Sequence, residues 1–214
     1  SFDVSLDNLT KVWGFYTEDP QLPTKAEIDS ASLNSGWQNI ILLEDNKIIK
    51  KGKVGLNFGA IAKGYAVDEA IDVLKKLGIK EALVNAGGEI SVIGYDWIVG
   101  IQHPREINSI IKKIKPNGYT VATSGDYEQY FEVDGKRYHH ILDPKTGYPS
   151  KGLRSVTIIH KSNILADALA TAVFVMGKEN GMKLIETLDD TEAMLIDSEG
   201  KIFYSSGFEK FLVK

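Results

Sequence analysis

A mixed fold of helices and strands, α/β or α+β, is what this sequence predicts, and three observations carry the prediction. Segments with helical spacing of apolar residues are interspersed with short runs rich in β-branched residues. Several of those runs face each other across hairpin turns, of which Asp134-Gly135 is the strongest short signal. The 214 residues, 43% hydrophobic and 25% charged, suffice for one large domain or two small ones with a buried core.

Thr24-Lys-Ala-Glu27 is a capping-box pattern that opens a short helix stopping by Gly36. Ile40 to Leu43 and Lys47 to Ile49 flank Glu44-Asp45-Asn46 and read as a hairpin. Ala62, Ala66, Val67, Ala70, Val73, Leu74 and Leu77 recur at helical spacing, with Gly78 placed to end that helix. Ala82 to Asn85, Ile90 to Ile93 and Trp97 to Ile101 read as strands separated by glycine turns. Gln129 to Val133 and Arg137 to Leu142 bracket the Asp134-Gly135 turn, and Ser155 to His160 is a β-branched strand. A helix from Ser162, its expected cap, to Met176 closes at Gly177. A second helix near Glu179 to Leu188 leads to a hairpin at Ser198-Glu-Gly200. The pattern is looser before Gly55, so the boundary falls between an N-terminal part, 1–54, and a core, 55–214.

The net charge of -4 and pI of about 5.6 argue against a nucleic-acid partner, which normally meets a basic face. The clusters Lys47 to Lys53 and Lys112 to Lys115 are short and read as solvated edges or turns. Without cysteine there are no disulfides, zinc thiolates or cysteine nucleophiles. No run approaches the ~20 apolar residues that span a bilayer.

Asp167 and Thr171 stand one turn apart on the late helix, where a carboxylate and a hydroxyl offer hard oxygen ligands of the kind magnesium takes. The same pair also suits a helix dipole partner and a threonine bonded back to its own helix, so both readings stand. Gly59-Ala-Ile-Ala-Lys-Gly64 lies between a strand and a helix start, where glycines admit close backbone approach and a helix N-terminus attracts phosphate. Lys63 precedes Gly64 and Tyr65 follows, so this is not a Walker A loop. Asn85-Ala-Gly-Gly-Glu89 and Thr123-Ser-Gly-Asp-Tyr127 read as small-residue turns at strand ends. His139 and His140 end a strand with their rings on opposite sides, so at most one enters a site.

In these residues the chain resembles the FAD:protein FMN transferases, the ApbE-type flavin transferases. Phe2-Asp3-Val4 with Leu9 and Trp13-Gly14-Phe15 is similar to that family's opening segment, and Leu56-Asn-Phe-Gly-Ala-Ile-Ala-Lys-Gly-Tyr-Ala66 to its glycine motif. Val84 to Gly88, Ala122 to Tyr127, Tyr138 to Gly147 and Ala166 to Thr171 follow in the family's order, and the match runs from residue 2 to Ser206-Gly207-Phe208.

The resemblance implies an α+β fold with a mixed, largely antiparallel sheet. It implies transfer of FMN from FAD, with Mg²⁺, to a Ser or Thr hydroxyl of a target protein, releasing AMP. The metal would be held by the Ala60 carbonyl, Asp167 and Thr171, bridging the pyrophosphate and polarising the phosphorus. His140 would be the base, with His139 as the alternative, and Phe2, Asn57, Lys63, Ser124, Gly125, Asp126 and Ile141 would line the flavin nucleotide. Hydrolysis of FAD to FMN and AMP at the same site, or flavin binding without turnover, are the competing expectations. By analogy the acceptor is a subunit of a membrane redox complex, and the protein is exported, periplasmic or anchored as a lipoprotein.

Two departures carry consequences. Asn57 stands where the family usually has Asp, replacing a charged contact to FAD with a neutral one. The chain begins at the opening motif, whereas full-length members carry a preceding segment that covers the isoalloxazine ring. The expectation is a fragment or short homologue with an open flavin site and weak FAD affinity.

Overall fold

In the computed structural model, which describes residues 1–214, helices and strands are interspersed as the sequence patterning requires. In chain order they are α1 (Asp7–Trp13), α2 (Lys25–Leu33), β1 (Ile40–Leu42), β2 (Ile48–Lys50), α3 (Ala62–Lys76), β3 (Ala82–Ala86), β4 (Glu89–Ile93), β5 (Val99–Gln102) and β6 (Ile110–Ile114). There follow β7 (Thr120–Gly125), β8 (Tyr130–Val133), β9 (Lys136–His139), β10 (Leu153–His160), α4 (Asn163–Ile185), β11 (Glu192–Asp197) and β12 (Ile202–Tyr204).

The chain divides into two units: Ser1–Phe58 with Glu128–Ser150, and Gly59–Tyr127 with Lys151–Lys214. The stretch 128–150 therefore goes with the N-terminal part, whereas the sequence boundary near residue 54 put it in the core. Its membership depends on packing of Leu142, Phe131 and Tyr138 against distant α1 and α2, which no local pattern announces.

The larger unit is framed by a six-stranded sheet in the order β12-β11-β10-β7-β4-β3, antiparallel at every pairing. Strand alternation sends Val121, Ile159, Met194 and Ile196 to one face, where they bury against Val99, Ile101 and Ile114 of the β5–β6 hairpin and against Phe208 and Phe211. The opposite parity, Ala122, Ser124, Val156, Ile158 and Ala193, lies on the other face, and α4 packs on β10, β7 and α3. Lys112 and Lys113 belong to β6 rather than to a turn: Ile114 of that strand is buried in the core, and Ile111 packs partly against it. Thr123, Ser124 and Gly125 likewise lie within β7, not in a turn: each is paired in register with a residue of β10.

α4 runs through the expected break, for Gly177 adopts φ 75°, ψ 174° and separates the two helical segments. In the smaller unit, Thr24 and Glu27 form the reciprocal capping box. The β1–β2 hairpin turns through Asp45 and Asn46, both at positive φ, and β8–β9 turns through Asp134 and Gly135. Helix α1, which the sequence reading did not assign, ends at Gly14 with φ 66°. It brings Trp13 against Phe15, Tyr138 and Phe131, and the indole donates to the Gly147 carbonyl at 2.8 Å.

Candidate active site

The start of α3 meets the first turns of α4 so closely that only glycine fits. A Cβ on Gly64 would stand 2.5 Å from the Asn163 carbonyl oxygen and 2.8 Å from the Asp167 Cβ. That approach lets the Gly64 N–H donate to Asp167 Oδ2 at 2.9 Å, so a carboxylate sits at the positive end of α3. Asp167 is 3% exposed. Burial pushes its carboxyl above the usual range, while the Gly64 N–H and the Lys63 ammonium act in the opposite direction.

Thr171 lies one turn further along α4, and its hydroxyl is 3.1 Å from the Ser124 hydroxyl. If Thr171 offers a lone pair to a cation, its O–H can donate to the Ser124 oxygen. Ala60, half-buried, sits in the turn immediately before α3. The protein has no cluster of three His, Cys, Asp or Glu side chains able to hold a metal ion. A cation at Asp167 would instead meet a carboxylate and, one helical turn on, the Thr171 hydroxyl, hard oxygens of the kind magnesium takes. The burial of Asp167 points the same way, since a cation would compensate its charge.

Sequence reasoning missed what holds α4 in place. Ser162 does not cap the helix with its own side chain. Asp68 of α3 does so: its carboxylate accepts from the Asn163 N–H at 2.8 Å, the Ile164 N–H at 3.0 Å and the Ser162 hydroxyl at 2.9 Å. The cap comes from 95 residues earlier, and Ser162 lies next to the first helical residue and mimics a local one.

Lys63 pairs with Glu89 at 2.7 Å, the carboxylate being 2% exposed and the lysine side chain 38%. Asp126 accepts two parallel bonds from Arg105, each of 2.7 Å, and its N–H donates to the Arg154 carbonyl at 3.0 Å. Neither Glu89 nor Arg105 carried a local sequence signal for these pairings. Gly125 is required on β7 because a Cβ there would collide with the ring of Tyr127.

His140, Ile141, Asn57 and Phe2 belong to the smaller unit. Only His139 lies on β9, so the two histidines do not alternate on one strand as the sequence suggested. His139 is buried, with Nε2 2.9 Å from the Ser150 carbonyl and Nδ1 accepting from the Ile141 N–H at 3.3 Å. Both ring nitrogens are occupied by backbone, which makes His139 a brace for the segment leading to Ile141. His140 places Nδ1 3.2 Å from the Gln129 carbonyl. A carbonyl can only accept, so Nδ1 carries the proton and the neutral ring keeps its lone pair on Nε2. The Asn57 N–H donates to the Val4 carbonyl at 2.7 Å, joining the glycine motif to the opening segment. Phe2 is half-buried.

Comparison with known proteins gives this geometry a family. Residues 1–195 match the model of the ApbE family. An FAD:protein FMN transferase of Klebsiella pneumoniae is 34% identical over 210 residues, covering 96% of this chain and 66% of the relative. One of Vibrio cholerae is 36% identical over 226 residues, covering 100% and 67%. The chain thus spans about two thirds of the length of these curated relatives. Among solved structures, the ApbE protein of Thermotoga maritima superposes with a TM-score of 0.92 at 37% identity, covering 99% of this chain and 72% of that one. The apo flavinyl transferase ApbE of Pseudomonas stutzeri gives 0.83 at 35%, covering 98% and 68%. With motifs, fold and sequence in agreement, the chain belongs to the ApbE family.

Proposed function

We propose that the protein transfers FMN from FAD to a Ser or Thr hydroxyl of a target protein, with Mg²⁺ and with release of AMP. The observation that carries the reading is the buried Asp167 carboxylate, bonded through one oxygen to the N-terminus of α3 and followed one turn later by Thr171. Membership of a family whose curated relatives are FAD:protein FMN transferases supports it.

In this reading Asp167 Oδ1, the Thr171 hydroxyl and the Ala60 carbonyl hold the cation, which when bound neutralises pyrophosphate charge and polarises the phosphorus. Ser124 orients the Thr171 hydroxyl. His140 Nε2 takes the proton of the acceptor hydroxyl, whose oxygen bonds to the phosphorus of the FMN half. The pyrophosphate P–O bond breaks and AMP departs with that electron pair. The family resemblance adds Lys63, Ser124, Gly125, Asp126, Phe2, Asn57 and Ile141 as the residues expected to line the flavin nucleotide. The acceptor, a subunit of a membrane redox complex, and an exported location are expected from the family resemblance.

Intact-mass spectrometry of Ser- and Thr-containing acceptor peptides, incubated with the protein, FAD and Mg²⁺, tests the proposal. An FMN phosphoester on the peptide and AMP in solution are expected. FMN and AMP without an adduct would assign the site to hydrolysis, and unchanged FAD would count against both.

A further inference from the structure

The Glu89 carboxylate is buried, and the reaction above gives it no part. Withdrawing a carboxylate from water costs several kcal/mol, about as much as its pairing returns, so such a pair is weak evidence of a stabilising role. Its placement suggests a different role. Glu89 begins β4 and holds the Lys63 ammonium at 2.7 Å. Lys63 directly precedes Gly64, whose N–H is bonded to Asp167, so the lysine stem springs from the turn of helix that touches Asp167. Two buried carboxylates, Glu89 and Asp167, thus stand within the field of one lysine. The Lys63 side chain is 38% exposed.

We propose that Glu89 is a positioning residue that holds the Lys63 ammonium away from Asp167 and so keeps that carboxylate open to a divalent cation. Without the Glu89 charge, Asp167 is the buried carboxylate on which Lys63 still acts. An ammonium seated there would neutralise the carboxylate and repel the cation. With Glu89 present, the three groups carry one net negative charge, which suits a dication. The inference rests on the cation reading of the proposed function.

Binding of Mn²⁺ to the full chain, read from the electron paramagnetic resonance signal of the free ion, needs neither FAD nor turnover. Glu89→Gln is expected to bind Mn²⁺ at least about tenfold more weakly than the wild type, the equivalent of about one pKa unit of charge interaction. Lys63→Met alone is expected to bind at least as tightly as the wild type. The double variant Glu89→Gln/Lys63→Met is expected to return to the wild-type value, a rescue that a packing role for Glu89 would not produce. Should Glu89→Gln fail to fold, Glu89→Asp retracts the carboxylate and gives a smaller loss, again abolished by Lys63→Met. Equal affinity across the series, or a double variant as weak as Glu89→Gln, overturns the inference alone. A wild type that binds no Mn²⁺ overturns it together with the cation reading.

Discussion

Gly64→Ala tests the helix crossing on which the candidate site is built. The added methyl would lie 2.5 Å from the Asn163 carbonyl oxygen and 2.8 Å from the Asp167 Cβ, one a backbone atom and the other the root of a side chain. Overpacking of this kind costs about 1–3 kcal/mol. Moving the helices apart also weakens the Gly64 N–H bond to the carboxylate, and bonds to charged groups contribute about 1.5–3 kcal/mol. Against this, alanine gains about 1 kcal/mol over glycine in a helix. The net loss is therefore about 1.5–5 kcal/mol, or a fall in Tm of roughly 3–20 °C for a chain of this size. Helix propensity alone predicts the opposite sign, a rise of about 2–4 °C. Thermal melts by circular dichroism in EDTA separate the two, and an unchanged or raised Tm would refute the tight crossing.

Asp167→Asn should melt no lower than the wild type in EDTA near pH 7, because it removes a carboxylate that burial disfavours in its charged form, yet calorimetry should find its Mg²⁺ binding lost. Asp68→Ala strands the first N–H groups of α4 and should cost about 1–2 kcal/mol in urea unfolding, with Asp68→Asn losing less. Trp13→Phe leaves the buried Gly147 carbonyl without its indole donor and should cost about 1–3 kcal/mol by the same measurement. Asp190 is held below the usual carboxylate range by bonds from Lys161 and Tyr119, so its stabilisation is present above the unfolded pKa and lost as pH falls through the folded one. Melts of Asp190→Asn should therefore differ from the wild type near pH 7 and converge with it in acid.

What the sequence revealed was local. Thr24 and Glu27, Asp134-Gly135 and Gly177 each act within a few residues of themselves, and the structure has the expected cap, turn and break at all three places. The pairing of Asp167 with Thr171 was legible because helical periodicity alone brings them to one side. Asp68 was not, since a cap supplied from another helix leaves no mark near Ser162, which satisfies the local rule and is used differently. Thr123 to Tyr127 was read as a turn from its small residues, but small residues also line a strand where an α-helix packs closely, as Ser124 does against Thr171. The partners of Lys63 and Asp126 depend on tertiary placement of Glu89 and Arg105, outside the reach of any spacing argument. Spacing alone did not say which of His139 and His140 enters a site, and the family resemblance favoured His140. The carbonyls of Ser150 and Gln129 distinguish them, bracing one ring and setting the tautomer of the other.

The proposed chemistry needs a cation seated between the turn before α3 and the first turns of α4. Crystals soaked in Mn²⁺ and measured for anomalous scattering test it most directly. A peak is expected within about 2.5 Å of the Ala60 carbonyl oxygen, Asp167 Oδ1 and the Thr171 hydroxyl together. A peak elsewhere, or none at a concentration that saturates binding in solution, would contradict it.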